Sequence, residues 1–198
     1  MDTDLRDRLL AMEADDRRVR AQLLAERLLG DGYHPTMEEV HRRNAAALVA
    51  IIAEHGWPGR SLVGEEGAHS AWFVLQHAIG NPPLQRRGLQ LLREALVRGD
   101  IPAAQVAHLE DRICFFEGRP QRYGTQYDWE ENGKLSPHPI EGPEGVDERR
   151  RSVGLGPLAE NTRRMREEAT RSGDGPPRDR EEQERKSLDW ARSVGWRE

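Results

Sequence analysis

The sequence predicts an all-α protein, built on a five-helix orthogonal or bundle-like core and followed by an irregular arm and short C-terminal helices. Three observations predict it. Apolar residues return every three or four positions through the first 118 residues or so, Gly or Pro punctuates each of these segments, and no period is sustained from Arg119 to Pro157. The chain has 198 residues, of which 36% are hydrophobic and 33% charged, enough for one core with appendages. We therefore expect a single helical domain over residues 1–160, with its core at 1–118 and the arm at 119–160. A charged helical extension, free to move, would follow at 161–198.

The first helix is read from Leu5, Leu9, Met12, Val19, Leu23, Leu24 and Leu28, with acidic and basic residues between them, and ends at Gly30. Thr36 and Glu39 have capping-box spacing at the head of a second helix, which runs through Val40, Ala45, Leu48, Ile51 and Ile52 to Gly56. The following SLVGEEG stretch holds too many glycines for regular structure. AHSAWFVLQHAI, apolar on nearly all sides, is the central buried helix, and Asn81-Pro82 caps the next. Leu84, Leu89, Leu92 and Leu96 mark that fourth helix, which Gly99 stops. Pro102 opens a fifth through Val106, Leu109, Ile113 and Phe116 to Gly118.

Beyond Gly118 prolines and glycines interrupt any period, so an irregular arm is expected. Two short helices, near residues 157–170 and 178–193, flank an SGDGPP linker. From Glu144 to the end, acidic and basic residues are interleaved and equal in number, which describes a self-solvating segment.

Composition also bounds function. A net charge of -5 offers no broad basic field for phosphates, which argues against a nucleic-acid partner. Cys114 is the only cysteine, so no internal disulfide or multi-cysteine metal cluster can form, and a reducing cytoplasmic compartment is expected. The charged N-terminus does not read as a secretory signal, and no apolar run approaches a membrane span. Phosphate loops, dinucleotide fingerprints, HExxH and Ser-His-Asp patterns are absent.

Candidate chemistry gathers around His77, an imidazole in an otherwise apolar helix beside Gln76. Its ordinary pKa suits general acid or base work, while a core histidine satisfied by one hydrogen bond is the plainer reading. His69 lies two turns earlier on the same face, but eight residues of helix rise, about 12 Å, separate the two rings too widely for one ion. Asp111 and Arg112 on the fifth helix offer an orienting carboxylate or an ordinary ion pair. Glu65 and Glu66 are either paired carboxylates or acids favoured at a helix start. QRYGTQ concentrates hydrogen-bonding groups around Gly124, fitting either a ligand rim or a turn that satisfies its own backbone. Cys114, beside Phe115, is read as inert packing.

GWPGRSLVGEEGAHSAWFVLQHA, LEDRICFFEGRPQRYGTQ and PIEGPEGVDERRRSVGLGPLAE, spanning about residues 57–160, together resemble a bacterial family of domains of unknown function. The resemblance brings no named activity. It implies one shared polar site, since Trp57, Pro58, Gly64, Trp72, Gln76, His77, Gln85, Asp111, Arg112, Gln121, Tyr123, Gly124, Thr125, Gln126 and Arg150 all match its pattern.

The leading expectation is a cofactor-free enzyme acting on a small-molecule or peptide substrate. His77 would be the general acid or base and Asp111 its orienting partner, with Trp72, Gln76, Arg112, Gln121, Tyr123 and Gln126 binding substrate. One alternative is a non-catalytic interaction or ligand-binding module whose charged arm and tail grip a partner. The other is a mononuclear metal site formed by His77 with carboxylates from another helix.

Overall fold

A computed structural model describes every residue except 27 and 29–31, so the expected helix end at Gly30 lies outside the described residues. The fold is predominantly α-helical, with one two-stranded sheet among the described residues. The chain forms two compact units, Met1–Gln105 and Val106–Glu198.

In the first unit, α1 spans Thr3–Ala25 and α2 spans Pro35–His55. Asp2 caps α1, its side chain accepting from the Leu5 N–H at 2.9 Å. The buried stripe of α1 is Leu5, Leu9, Met12, Asp16, Val19 and Leu23, a helical repeat that carries one carboxylate among apolar groups. The expected Thr36 cap is corrected: His34 caps α2, its Nδ1 accepting from the Thr36 N–H at 3.2 Å. Pro35 explains the shift, because its fixed φ starts the helix and leaves Thr36 inside it.

The central helix is longer than expected, since α3 runs Arg60–His77 and takes in the SLVGEEG stretch. Only Gly64 leaves the helical conformation, at φ 73° and ψ 177°, producing a kink with helix on both sides. Gly67 stays helical for a different reason. A Cβ there would sit 2.9 Å from Val63 Cβ and 3.1 Å from Arg6 Cγ, so a hydrogen is what lets α1 and α3 approach. Asp100 caps α3 from a distance, accepting from the Ser61 N–H at 2.6 Å and the Ser61 hydroxyl at 3.0 Å.

Asn81 and Pro82 open α4, Pro82–Val97, as the sequence implies, with Asn81 accepting from the Leu84 N–H at 3.1 Å. From α4 the buried Gln85 amide donates to the Leu75 and Gln76 carbonyls at 2.8 and 3.0 Å. Those bonds close the last turn of α3 and fix the backbone that presents His77. The helix α5, Ala103–Phe116, begins in the first unit and continues into the second.

The arm is less irregular than expected. Strands β1 (Tyr127–Trp129) and β2 (Leu135–Pro137) pair antiparallel, with Tyr127 opposite Pro137 and Trp129 opposite Leu135. A 3-10 turn at Pro143–Gly145 leads into α6, Val146–Ser152, and then α7 covers Leu158–Ser172. Three-residue strands are too short to show a period, which is why composition pointed only to a loop. Arg166 of α7 holds the hairpin by donating to the Leu135 carbonyl at 2.7 Å and to the Ser136 hydroxyl at 3.1 Å.

The last helix is α8, Arg180–Ser193, and the residues that follow it meet the end of α5. Trp196 stacks on Phe116 with ring centroids 5.2 Å apart, and Arg197 donates to the Phe115 and Phe116 carbonyls at 3.1 and 2.8 Å. A cation placed on the terminal carbonyls of α5 also opposes the negative end of that helix.

His108 in α5 gives this unit a pH signature. Burial first, and the Arg112, Arg150 and Arg164 cations second, push its pKa down from 6.5 to about 4. The folded protein therefore keeps the ring neutral while the unfolded chain protonates it near 6.5. Stability should be lost as pH falls from about 6.5 to 4, on the order of 2 kcal/mol after allowance for partial exposure, and be unaffected by this group above that window. Urea titrations of wild type and His108→Gln check this: the difference in stability between them should change across pH 4 to 6.5, and parallel curves would contradict it.

Candidate metal centre

His77 is the last residue of α3, and its Nδ1 lies 2.9 Å from Oδ2 of Asp16 on α1. On α2, Nε2 of His41 lies 3.0 Å from the same oxygen. One carboxylate oxygen and two imidazole nitrogens, each from a different helix, thus sit within 4.8 Å of one another. The three are graded in exposure: the side chain of Asp16 is 1% exposed, that of His41 11% and that of His77 25%, so the cluster opens to solvent on the His77 side.

The helices place these groups through ordinary packing. Asp16 occupies a stripe position between Met12 and Val19, and His41 lies beside Val40 and one turn from Met37. Val19, Leu23, Met37 and Val40 form a cluster that seals α1 against α2, with Tyr33 packed on it. Polar ties add to this. The Asn44 amide donates to the Met12 carbonyl at 3.1 Å, and the Ser70 hydroxyl donates to Glu13 at 2.7 Å, joining α2 and α3 to α1.

Electrostatically, Asp16 is a buried carboxylate whose neighbours are two histidines. Burial acts to raise its pKa, but the contacts with His41 and His77 outweigh it and hold the carboxyl far below the usual carboxylate range. Its second oxygen, Oδ1, and the buried Nε2 of His41 have no hydrogen-bond partner among the described residues. The His41 nitrogen is close to Asp16 but not aligned as a hydrogen bond requires. On its other side, His41 Nδ1 meets the Tyr33 hydroxyl at 2.6 Å, which fixes the ring's orientation and aims Nε2 at the cluster. Burial, with the nearby Glu38 and Asp16 charges, drives the Tyr33 hydroxyl above its ordinary range, so it stays a neutral phenol.

Of the predicted residues, Trp72, Gln76 and His77 belong to the first unit, and Asp111, Arg112, Gln121, Tyr123 and Gln126 to the second. Trp72 donates its indole N–H to the Gln105 carbonyl at 3.0 Å, and Gln76 is buried. The carboxylate against His77 is Asp16, which takes the orienting position assigned from sequence to Asp111. Asp111 has another task. It is fully buried and accepts from the backbone N–H groups of Arg122, Tyr123 and Thr125 and from the Thr125 hydroxyl, at 2.7 to 3.2 Å.

QRYGTQ is accordingly a turn that satisfies its own backbone. The Gln121 amide donates to the Gln126 and His138 carbonyls, at 3.0 and 2.9 Å, and its oxygen accepts from the Gln126 N–H at 2.9 Å. Gln126 spends its own amide on the Thr125 hydroxyl at 3.0 Å. The buried Arg150 completes the turn by donating to the Tyr123 carbonyl at 2.6 Å. Tyr123 and Arg112 are part-buried. Cys114 is buried, and burial raises its thiol, as expected for packing.

Sequence reasoning missed Asp16, His41 and Tyr33. The signal was present: Asp16 fills the gap in the apolar series of the first helix, between Met12 and Val19. A carboxylate at a core position requires a partner, and that requirement alone would have directed attention to it.

No helix among the described residues is long and apolar enough to cross a membrane. Searches of curated proteins and of solved structures found no match. The model of a family of unknown function, DUF6624, matches residues 3–171, a span that contains Asp16, His41 and His77, and the chain belongs to that family.

Proposed function

We propose that this protein is a metal-dependent hydrolytic enzyme whose divalent ion is held by Asp16 Oδ2, His41 Nε2 and His77 Nδ1. The observation that carries the reading is the convergence of these three donors on a point where a carboxylate almost wholly removed from water meets two imidazoles. Two nitrogens and one oxygen suit a first-row ion such as zinc, and small shifts suffice to bring each donor to about 2.0–2.2 Å from a common centre. Three protein donors leave a coordination position for water or substrate, and a bound divalent ion lowers the pKa of such a water towards 7. Asp16 supplies the negative charge, Tyr33 orients His41, and Gln85 steadies the turn that carries His77.

The substrate class we assign is a small molecule or peptide, since the chain's net charge of -5 does not favour nucleic acid. The single buried thiol suits a reducing compartment, and we place the protein in the cytoplasm.

The 2.9 Å contact between His77 and Asp16 favours one second reading, a cofactor-free acid–base pair in which Asp16 orients His77. His41 separates the two, because the pair works without it and the metal centre does not. Wild type stripped with chelator and re-equilibrated with zinc should retain about one equivalent per chain, and His41→Ala should retain almost none while staying folded. Equal zinc content in the two proteins would reject the metal reading.

A further inference from the structure

We propose that the substrate of this centre is an anion, with its phosphate or carboxylate group bound between the Asp16–His41–His77 cluster and the guanidinium of Arg17. The inference rests on the metal reading above and adds the chemistry of what binds. A divalent ion facing a single carboxylate leaves one uncompensated positive charge in a site largely sheltered from water, where such a charge is costly. An anionic ligand is the natural complement, as is a second cation to hold the ligand's far side.

Arg17 is placed to be that cation. Its guanidinium lies 4.6 Å from the centre of the Phe73 ring, and that ring is 4.1 Å, centroid to centroid, from the ring of His77. Arg17 and His77 therefore both lie against one aromatic side chain, Phe73. The guanidinium is held by Glu13, whose Oε1 accepts from Nε at 2.8 Å and lies 2.7 Å from Nη2 in an ion pair. Glu13 is itself anchored by the Ser70 hydroxyl, so Arg17 is fixed in direction before any ligand arrives. Its Nη1 group has no partner among the described residues, and the side chain is 59% exposed, so a ligand can reach it.

The test is calorimetric titration of zinc-loaded protein, freed of excess ion, with inorganic phosphate and separately with acetate, in wild type, Arg17→Gln and Arg17→Lys, with zinc content measured on each sample. At least one anion should bind wild type. Arg17→Gln should lose at least about tenfold in that affinity with unchanged zinc content, and Arg17→Lys should lose less. Which anion binds decides between phosphate and carboxylate substrates. Zinc-loaded protein that binds neither anion, or that binds them equally well in wild type and Arg17→Gln, overturns the proposal and leaves the metal centre standing. Protein that takes up no zinc yet binds an anion in an Arg17-dependent way overturns the metal reading alone. Protein that takes up neither overturns both.

Discussion

Asp16→Asn is expected to lower zinc affinity by at least about 100-fold and to remove the stabilisation that zinc gives the folded protein. The substitution keeps the shape of the side chain but deletes the only negative charge among the three donors, and it presents an amide where the ion needs an anionic oxygen. For wild type at a free zinc concentration 100 times its dissociation constant, linkage gives about 2.7 kcal/mol of added stability. The variant should show almost none of it. Thermal melts with and without zinc check this directly: an upward shift in wild type and a flat response in Asp16→Asn. An equal shift in both would mean that zinc binds elsewhere. Without zinc the variant should already be less stable than wild type near neutral pH, because Asn removes the ionised carboxylate that His41 and His77 stabilise in the folded state, so the response to zinc is read against each protein's own zinc-free melt.

Asp111→Ala should produce the largest loss of stability of any substitution considered, about 3–5 kcal/mol by urea denaturation. The carboxylate accepts from three backbone N–H groups and one hydroxyl in a fully buried position, and truncation leaves those donors without acceptors. Burial pushes the Asp111 carboxyl up, while the N–H groups of Arg122, Thr125 and Tyr123 pull against that. The same experiment separates the present account from the sequence-based expectation that Asp111 orients His77. Under conditions where Asp111→Ala is folded, its zinc content should equal that of wild type. A variant of wild-type stability that has lost function would instead restore Asp111 to the site.

The helices were legible because their amphipathic stripes are long enough to average over exceptions, and because Gly56, Asn81-Pro82, Gly99 and Gly118 punctuate them where chain geometry demands it. The glycines of SLVGEEG misled, since composition cannot tell Gly64, which leaves the helical region, from Gly67, which is kept small for helix packing. The hairpin and α6 were hidden by their brevity. His77 was legible as a polar residue in an apolar segment. Its partners were not, because Asp16 and His41 are 61 and 36 residues away in sequence, and only the packing of three helices brings them together. The matched polar residues of QRYGTQ pointed to something real, but that something is a turn held by Asp111, Gln121 and Arg150. Buried polar residues clustered in sequence are as often the means of building a loop as of binding a ligand, and only the direction of each hydrogen bond distinguishes the two.

The most direct test of the metal centre is a crystal structure of zinc-treated protein with anomalous data collected on both sides of the zinc edge. A metal centre at this position gives a single strong anomalous peak between Asp16 Oδ2, His41 Nε2 and His77 Nδ1, at about 2.0–2.2 Å from each. A map with no peak there, and with His77 Nδ1 still donating to Asp16, would contradict it.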